Sequence, residues 1–407
     1  MQSKSVDLIY LDPPFNSGKK WENPIEAGGK KAKVSFKDTW NLDDIHTDEE
    51  YELLHYAPNA IPLINSLYQI NGGSWRAYLI YMGIRLAEMH RVLKDTGTIY
   101  YHCDATMSHG VKLLMDCIFR KANFRNHLAW CYKENEAATK HFPRKHDHIL
   151  FYSKGKDYVF NIVRGEITEA QAKRYNHIDE EGNRWANMKG KMRKLEGGAK
   201  IRDWWELPIT QQSERTGYPT QKPLALLKRI IKASSNKGDI VLDPFCGCAT
   251  TCVAANYLER QWIGIDLSEN AEHFIRSRIT KESSPLIDKE FIVNPKQEPR
   301  ADLPPINKDD VKADKFAKSN ICPGCKKEKE LEDMDLDHIV PKVRGGQDQW
   351  RNYQLLCRNC NTSKGGKGMA EWRKYVMQKE IEAYSKKQED EKKKWLDDQQ
   401  AKREELK

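Results

Sequence analysis

Apolar positions fall into two rhythms over the first part of the chain, short unbroken runs and longer stretches at helical spacing. Val6–Leu11 is an apolar run of strand length. Trp75–Leu93 repeats its apolar residues at helical intervals (Leu79, Met82, Leu86, Met89), and Gly97 behind it reads as a stop signal. The pattern then predicts a strand at Thr98–His102, an amphipathic helix at Val111–Phe119, and strands at Leu128–Tyr132 and Ile149–Tyr152. A helix is predicted over Thr220–Ala233, with Pro223 near its start, where proline is tolerated. Strand Ile240–Asp243, helix Thr250–Leu258, strand Trp262–Asp266 and helix Asn270–Ile279 complete the series. Strands alternating with helices predict an α/β fold with a largely parallel, doubly wound sheet.

Residues 153–215 break the rhythm. They are polar and basic, with Arg184, Lys189, Lys191, Arg193 and Lys194 interleaved with Trp185, Trp204 and Trp205. Residues 283–320, rich in proline and lysine, read as a linker. Residues 370–407 are rich in lysine and glutamate with balanced charge and read as a solvated helical tail.

The chain has 407 residues, enough for two or three domains, and 31% of them are charged. No apolar run is long enough to span a membrane, and Met1–Ser5 leads into a strand with no signal-peptide pattern. A membrane partner is therefore not expected, and a cytoplasmic protein is. The net charge is +9, of which +6 falls on residues 1–282, a balance that suits a polyanionic partner. Of ten cysteines, six are scattered and four form two Cys-x-x-Cys pairs. That split indicates a reducing compartment and one metal site, not a disulfide framework.

Two runs carry chemistry. Asp12-Pro13-Pro14-Phe15 ends the first strand, and Val241-Leu242-Asp243-Pro244-Phe245-Cys246-Gly247 ends a later one. Open α/β sheets put their ligand sites at such strand ends. An acid and a backbone carbonyl accept hydrogen bonds from an exocyclic amine, and an aromatic ring stacks on the base that carries it. The proline after the acid donates no backbone N–H. Taken alone, either run also fits an ordinary Asp-Pro turn.

Together with Pro219–Pro223 (PTQKP) and Gly264-Ile265-Asp266, these runs resemble the DNA amino-methyltransferases of the permuted β class. The resemblance spans residues 1–282 and implies a Rossmann-like sheet that binds S-adenosylmethionine and methylates adenine N6 or cytosine N4 in double-stranded DNA. Asp12, Pro13, Pro14 and Phe15 would then be the catalytic motif. Asp243, Pro244, Phe245, Gly247, Thr250 and Asp266 would hold the cofactor, with Thr220 and Lys222 closing its other side. Asp266 would accept hydrogen bonds from the ribose hydroxyls. Ala249 stands where the family usually has glycine, a small enough residue to keep close contact. Asp-Pro-Pro, in place of Ser-Pro-Pro, implies adenine. In this class the insert at 153–215 reads the DNA sequence, which makes it the candidate recognition region. The family also has a strand and a Gly-Asp segment ahead of the catalytic motif. Only eleven residues precede Asp12, which implies a truncated chain, another cover for that pocket, or weak cofactor binding.

Near the end, Cys322–Cys325 and Cys357–Cys360 are Cys-x-x-Cys pairs with 31 residues between them, a set suited to a closed tetrahedral structural zinc. A segment of about fifty residues buries little core, so a metal staple is physically sensible. With Asp337-His338, Gly345-Gly346 and Asn352, residues 321–369 resemble an HNH nuclease of the ββα-metal fold. That resemblance implies His338 as general base, Asn352 as a brace for its loop, and Asp337 and Asn361 as holders of a divalent cation, magnesium or similar. The expected protein is thus a site-specific adenine-N6 methyltransferase with an attached HNH domain, of restriction-modification or phage type. The alternatives are cytosine-N4 methylation, or a DNA-binding or nicking protein with an impaired transferase. A dimer is one possible assembly.

Overall fold

The first strand of the chain lies in the middle of its sheet. A computed structural model describes residues 1–27, 30–45, 47–132, 138–218, 220–267, 276, 278–279, 307–344, 348, 352–368, 371–372 and 375. They fall into two units, Met1–Val293 and Asn294–Lys407.

In chain order the first unit begins with β1 (Val6–Leu11), an antiparallel ribbon of β2 (Lys19–Ala27) and β3 (Lys30–Asp38), and helices α1 (Thr47–Tyr56), α2 (Ala60–Asn71) and α3 (Gly73–Val92). Next come β4 (Leu93–Cys103), α4 (Ser108–Met115), β5 (Phe124–Cys131) and β6 (His146–Ser153). The insert holds α5 (Glu169–Arg174) and the three-stranded sheet of β7 (His177–Ile178), β8 (Arg184–Met188) and β9 (Lys191–Lys194). β10 (Trp204–Glu206), α6 (Leu224–Ser234), β11 (Ile240–Asp243), α7 (Thr250–Tyr257) and β12 (Gln261–Gly264) follow.

Seven strands form the main sheet in the order β10-β5-β6-β4-β1-β11-β12, and every pairing is parallel except the two made by β6. All six residues of β1 are buried, as a central strand covered on both faces requires. Val6, Ile9 and Leu11 enter one core with α1 to α4, while Leu8 and Tyr10 enter the other with α6 and α7. Each such apolar side chain stabilises the fold by about 1.5–3 kcal/mol. Asp7 ties the centre together: its carboxylate accepts from Ile240 N at 2.9 Å and from Lys94 Nζ at 2.8 Å.

Several expected boundaries move. Gly97 does not stop a helix; it lies inside β4, where a Cβ would come within 2.9 Å of the Asp7 carbonyl. The helix expected from Thr220 begins at Leu224, because the residue before Pro223 is biased away from helical dihedrals and Thr220 has φ of 64°. The helix expected to reach Phe119 ends at Met115 and passes into a π turn, Asp116–Arg120. Asp266 stands two residues beyond β12, not at its end. Trp205, read as part of the basic insert, sits in β10 at 7% exposure, a core residue of the main sheet. Most of the helix expected over 270–279 lies outside the described residues; Arg276, Arg278 and Ile279 are helical.

The second unit holds α8 (Lys308–Lys318), the antiparallel pair β13 (Met334–His338) and β14 (Tyr353–Cys357), and α9 (Arg358–Lys364). This is the expected ββα order. The stretch read as linker carries α8, capped by Asn307 and anchored through Val311 against Tyr353. Of the expected tail, only Glu371, Trp372 and Tyr375 are described. Among the described residues no helix is long and apolar enough to cross a membrane.

Candidate functional site

An open cavity of about 1550 Å³ lies at the carboxyl ends of β1 and β11. All twelve residues singled out in the first module line it: Asp12 to Phe15, Asp243 to Phe245, Gly247, Thr250, Asp266, Thr220 and Lys222. Residues more than 200 positions apart meet there because β1 and β11 are neighbours in the sheet.

Asp12 Oδ2 accepts from Lys222 Nζ at 2.5 Å, while Asp12 Oδ1 is buried without a hydrogen-bond partner. A buried acceptor left unpaired costs about 1–3 kcal/mol, so this oxygen is set for a donor brought from outside. Lys222, expected on the cofactor side, thus has its ammonium on Asp12. The Phe15 ring lies nearly parallel to His102 at 5.9 Å, with Lys222 Nζ 5.4 Å from its centroid. His102 is fully buried; Nδ1 meets the Tyr10 hydroxyl at 2.8 Å and Nε2 meets Asp147 at 3.0 Å. Tyr132 donates to the same carboxylate at 3.1 Å. Desolvation works against the charged form of Asp147, but His102, Lys222 and Tyr132 hold it below its ordinary range. Trp130, Tyr132 and Asp147 line the cavity beside Phe15. Sequence reading passed over all of them. The one available signal was His102, a polar residue at the end of the apolar run in β4; Asp147 lies in the polar start of β6, between two histidines, and gave none.

The other half of the cavity is built on β11 and the turn after it. Asp243 accepts from Phe245 N at 3.1 Å and from Thr251 Oγ1 at 2.5 Å. Burial raises its carboxyl to about 7, outweighing the opposing effect of those bonds. Gly247 has φ of 48°, and a Cβ there would stand 3.0 Å from the Tyr218 ring. Its N–H donates to Asp266 at 2.8 Å, which fixes that carboxylate at the cavity edge. Burial pushes the Cys246, Cys248 and Cys252 thiols up, so these cysteines are protonated and poor nucleophiles at neutral pH.

Ala249 has φ of 63° and ψ of 30°, the left-handed region. Its departure from glycine therefore bears on backbone conformation, not on contact distance as expected. An L-residue pays roughly 1–2 kcal/mol there, partly offset by glycine's larger unfolded-state entropy. Ala249→Gly is expected to raise the melting temperature of the unit by about 1–4 °C in a thermal scan.

In the second unit, the Sγ atoms of Cys322, Cys325, Cys357 and Cys360 lie within 4.8 Å of one another. The Cys325–Cys357 pair stands at 3.9 Å, close to the roughly 3.8 Å that Zn–S bonds of about 2.3 Å impose on a tetrahedron. The thiols fit a structural zinc. Asn352 brackets Val340, accepting from its N–H at 2.8 Å and donating to its carbonyl at 3.0 Å. His338 Nε2 lies 2.7 Å from Asp348, which also takes Lys342 and Tyr353. Asp348 is a residue that sequence reading missed. Asp337 faces Lys364 Nζ at 3.0 Å and Gln354 at 2.8 Å, and the Asn361 amide turns to Asp335 at 3.4 Å. Asp337 and Asn361 as placed do not present a prepared cation site.

The profile of the N6/N4 DNA methylases matches residues 6–277, and that of the HNH endonucleases matches residues 322–367. The Type II methyltransferase M.EcaI of Enterobacter cloacae is 28% identical over 344 residues, covering 71% of this chain and 68% of that one. The DNA adenine methyltransferase YhdJ of Escherichia coli K12 is 31% identical over 273 residues, covering 65% and 73%. The crystal structure of the M1.HpyAVI–SAM complex aligns at 19% identity with a TM-score of 0.37, covering 68% of this chain and 89% of that one.

Proposed function

This chain belongs to the N6/N4 DNA methylase family and carries an HNH endonuclease domain, and from that premise we propose that it methylates adenine at N6 in double-stranded DNA. The observation that carries the reading is the buried, unpartnered Asp12 Oδ1 beside Phe15. An exocyclic amino group donates one N–H to this oxygen and another to the Pro13 carbonyl. Those bonds favour a pyramidal nitrogen and free a lone pair otherwise delocalised into the ring. Phe15 stacks on the extruded base, and Lys222 holds the Asp12 carboxylate in place. S-adenosylmethionine, when bound along Asp243, Gly247 and Asp266, supplies an electrophilic methyl group. Alignment of the two partners provides most of the acceleration. The preference for adenine rests on Asp-Pro-Pro and on the 31% identity to an adenine methyltransferase. Exposed Lys189, Lys191, Arg193 and Lys194 in the insert are placed to meet phosphates, whereas Arg184 is tied to the Ala172 and Tyr175 carbonyls.

The test is methyl incorporation from labelled S-adenosylmethionine into unmethylated DNA, with the product nucleoside identified by mass spectrometry. N6-methyladenine is expected; N4-methylcytosine would replace the adenine reading, and no incorporation would end both. The Asp243 carboxyl adds a pH signature. In the ligand-free unit its raised value works against stability as pH climbs from about 4 through about 7. A cationic cofactor favours the ionised form, so affinity for S-adenosylmethionine is expected to rise several-fold between about pH 6 and 8 and then level off. Calorimetry on Asp243→Asn should show a flatter profile. For the HNH domain we propose phosphodiester cleavage with His338 as base, oriented by Asp348.

A further inference from the structure

The loop joining β5 to β6 holds the most exposed aromatic side chain among the described residues, Phe142 at 95%. The residues next to it are cationic: 138–146 include Lys140, Arg144, Lys145 and two histidines, while the loop's two acids, Glu134 and Glu136, lie at its start. Pro143 biases the Phe142 backbone toward extended dihedrals. The stem of the loop is fixed. Tyr132 N donates to the Lys145 carbonyl at 3.0 Å, and the Tyr132 hydroxyl to Asp147 at 3.1 Å. Tyr132 and Asp147 both line the cavity that holds Asp12. Phe142 is three residues from Lys145, so its Cα stands within roughly 11 Å of the Cα of the residue whose carbonyl holds Tyr132 at that rim.

A base drawn into the cavity leaves a flat apolar gap in the duplex, bounded by stacked neighbours and an unpaired partner. We propose that Phe142 enters this gap while Lys140, Arg144 and Lys145 meet the flanking phosphates. An aromatic ring recovers part of the lost stacking, and apolar wedges of this kind are a recurrent means of opening base steps. A protein partner fits less well, because the residues flanking the ring on both sides in the chain carry positive charge, which suits phosphates. The inference rests on the methyl-transfer reading, so its test must separate the two.

The test compares two synthetic duplexes carrying the methylated sequence found in the incorporation assay. One is fully paired; the other lacks the base opposite the target, so that extrusion costs less. Phe142→Ala is expected to lower kcat/KM at least about tenfold on the paired duplex and less than about threefold on the other. Phe142→Leu, which keeps an apolar wedge, should recover most of the difference. Equal rates for wild type and Phe142→Ala on the paired duplex would overturn the inference, as would an equal loss on both duplexes. Failure of the wild type on both would count against methyl transfer itself.

Discussion

Asp12→Ala is expected to reduce methyl transfer to DNA by at least about 10²–10³-fold, with little change in S-adenosylmethionine binding. The site gives the reason. Asp12 Oδ1 is buried with no partner, so the substrate amino group provides its hydrogen bond only when the base is in place. Removing a preorganised polar group that acts on the reacting atom costs about 2.7–4 kcal/mol in comparable sites. Alanine also leaves the Lys222 ammonium without its partner, so thermal stability should fall by about 1 kcal/mol or more. Asp12→Asn retains one acceptor oxygen at the same place and should keep more activity than alanine. Single-turnover methylation and calorimetry on both variants check this. Parallel losses of cofactor binding and rate would mean that Asp12 supports the cavity and not the reacting amine.

The second large effect concerns the four thiols. Removing the metal, or replacing Cys357 with serine, is expected to unfold the C-terminal unit while the methyltransferase keeps its activity. The core of that unit, around Cys322, Met334, Leu355, Leu356 and Trp372, is assembled from the thiol ligands themselves. Structural zinc sites supply about 10–16 kcal/mol in small domains, more than so few apolar side chains provide. One zinc per chain by elemental analysis is the first requirement. Limited proteolysis should then digest residues beyond about 294 after chelation and spare the rest. His338→Ala should retain zinc and resist proteolysis yet lose plasmid nicking. A chain without zinc that still resists proteolysis would contradict this account.

Much of this was legible in the sequence because it is local. Val6–Leu11 reads as a buried strand from its own six side chains, and the Asp-Pro signatures at residues 12 and 243 identify their strand ends. The Cys-x-x-Cys pairs declare a metal by spacing alone. What escaped was set by tertiary pairing. His102 and Asp147 are 45 positions apart and meet only because β4 and β6 are antiparallel neighbours. Lys222 was placed with the cofactor by its motif, but the turn before Pro223 carries its ammonium to Asp12. Trp205 looked like part of a basic surface because a three-residue strand at the edge of a sheet leaves too short a pattern to recognise. Ala249 was judged by size, while its backbone dihedral is what matters.

The central place of β1 also fixes a timetable for synthesis. Asp7 has to wait for Ile240, 233 residues later, so in a nascent chain the edge of β1 that pairs with β11 stays open until most of the first unit has been translated. Closure over such a separation is slow, and apolar surface left exposed during that interval is prone to aggregation. β12 completes the sheet once Gly264 has left the ribosome, but the zinc ligands are not all available until Cys360, about a hundred residues or roughly 5–20 s later. Each newly made chain therefore has every strand of that sheet available before the second Cys-x-x-Cys pair exists.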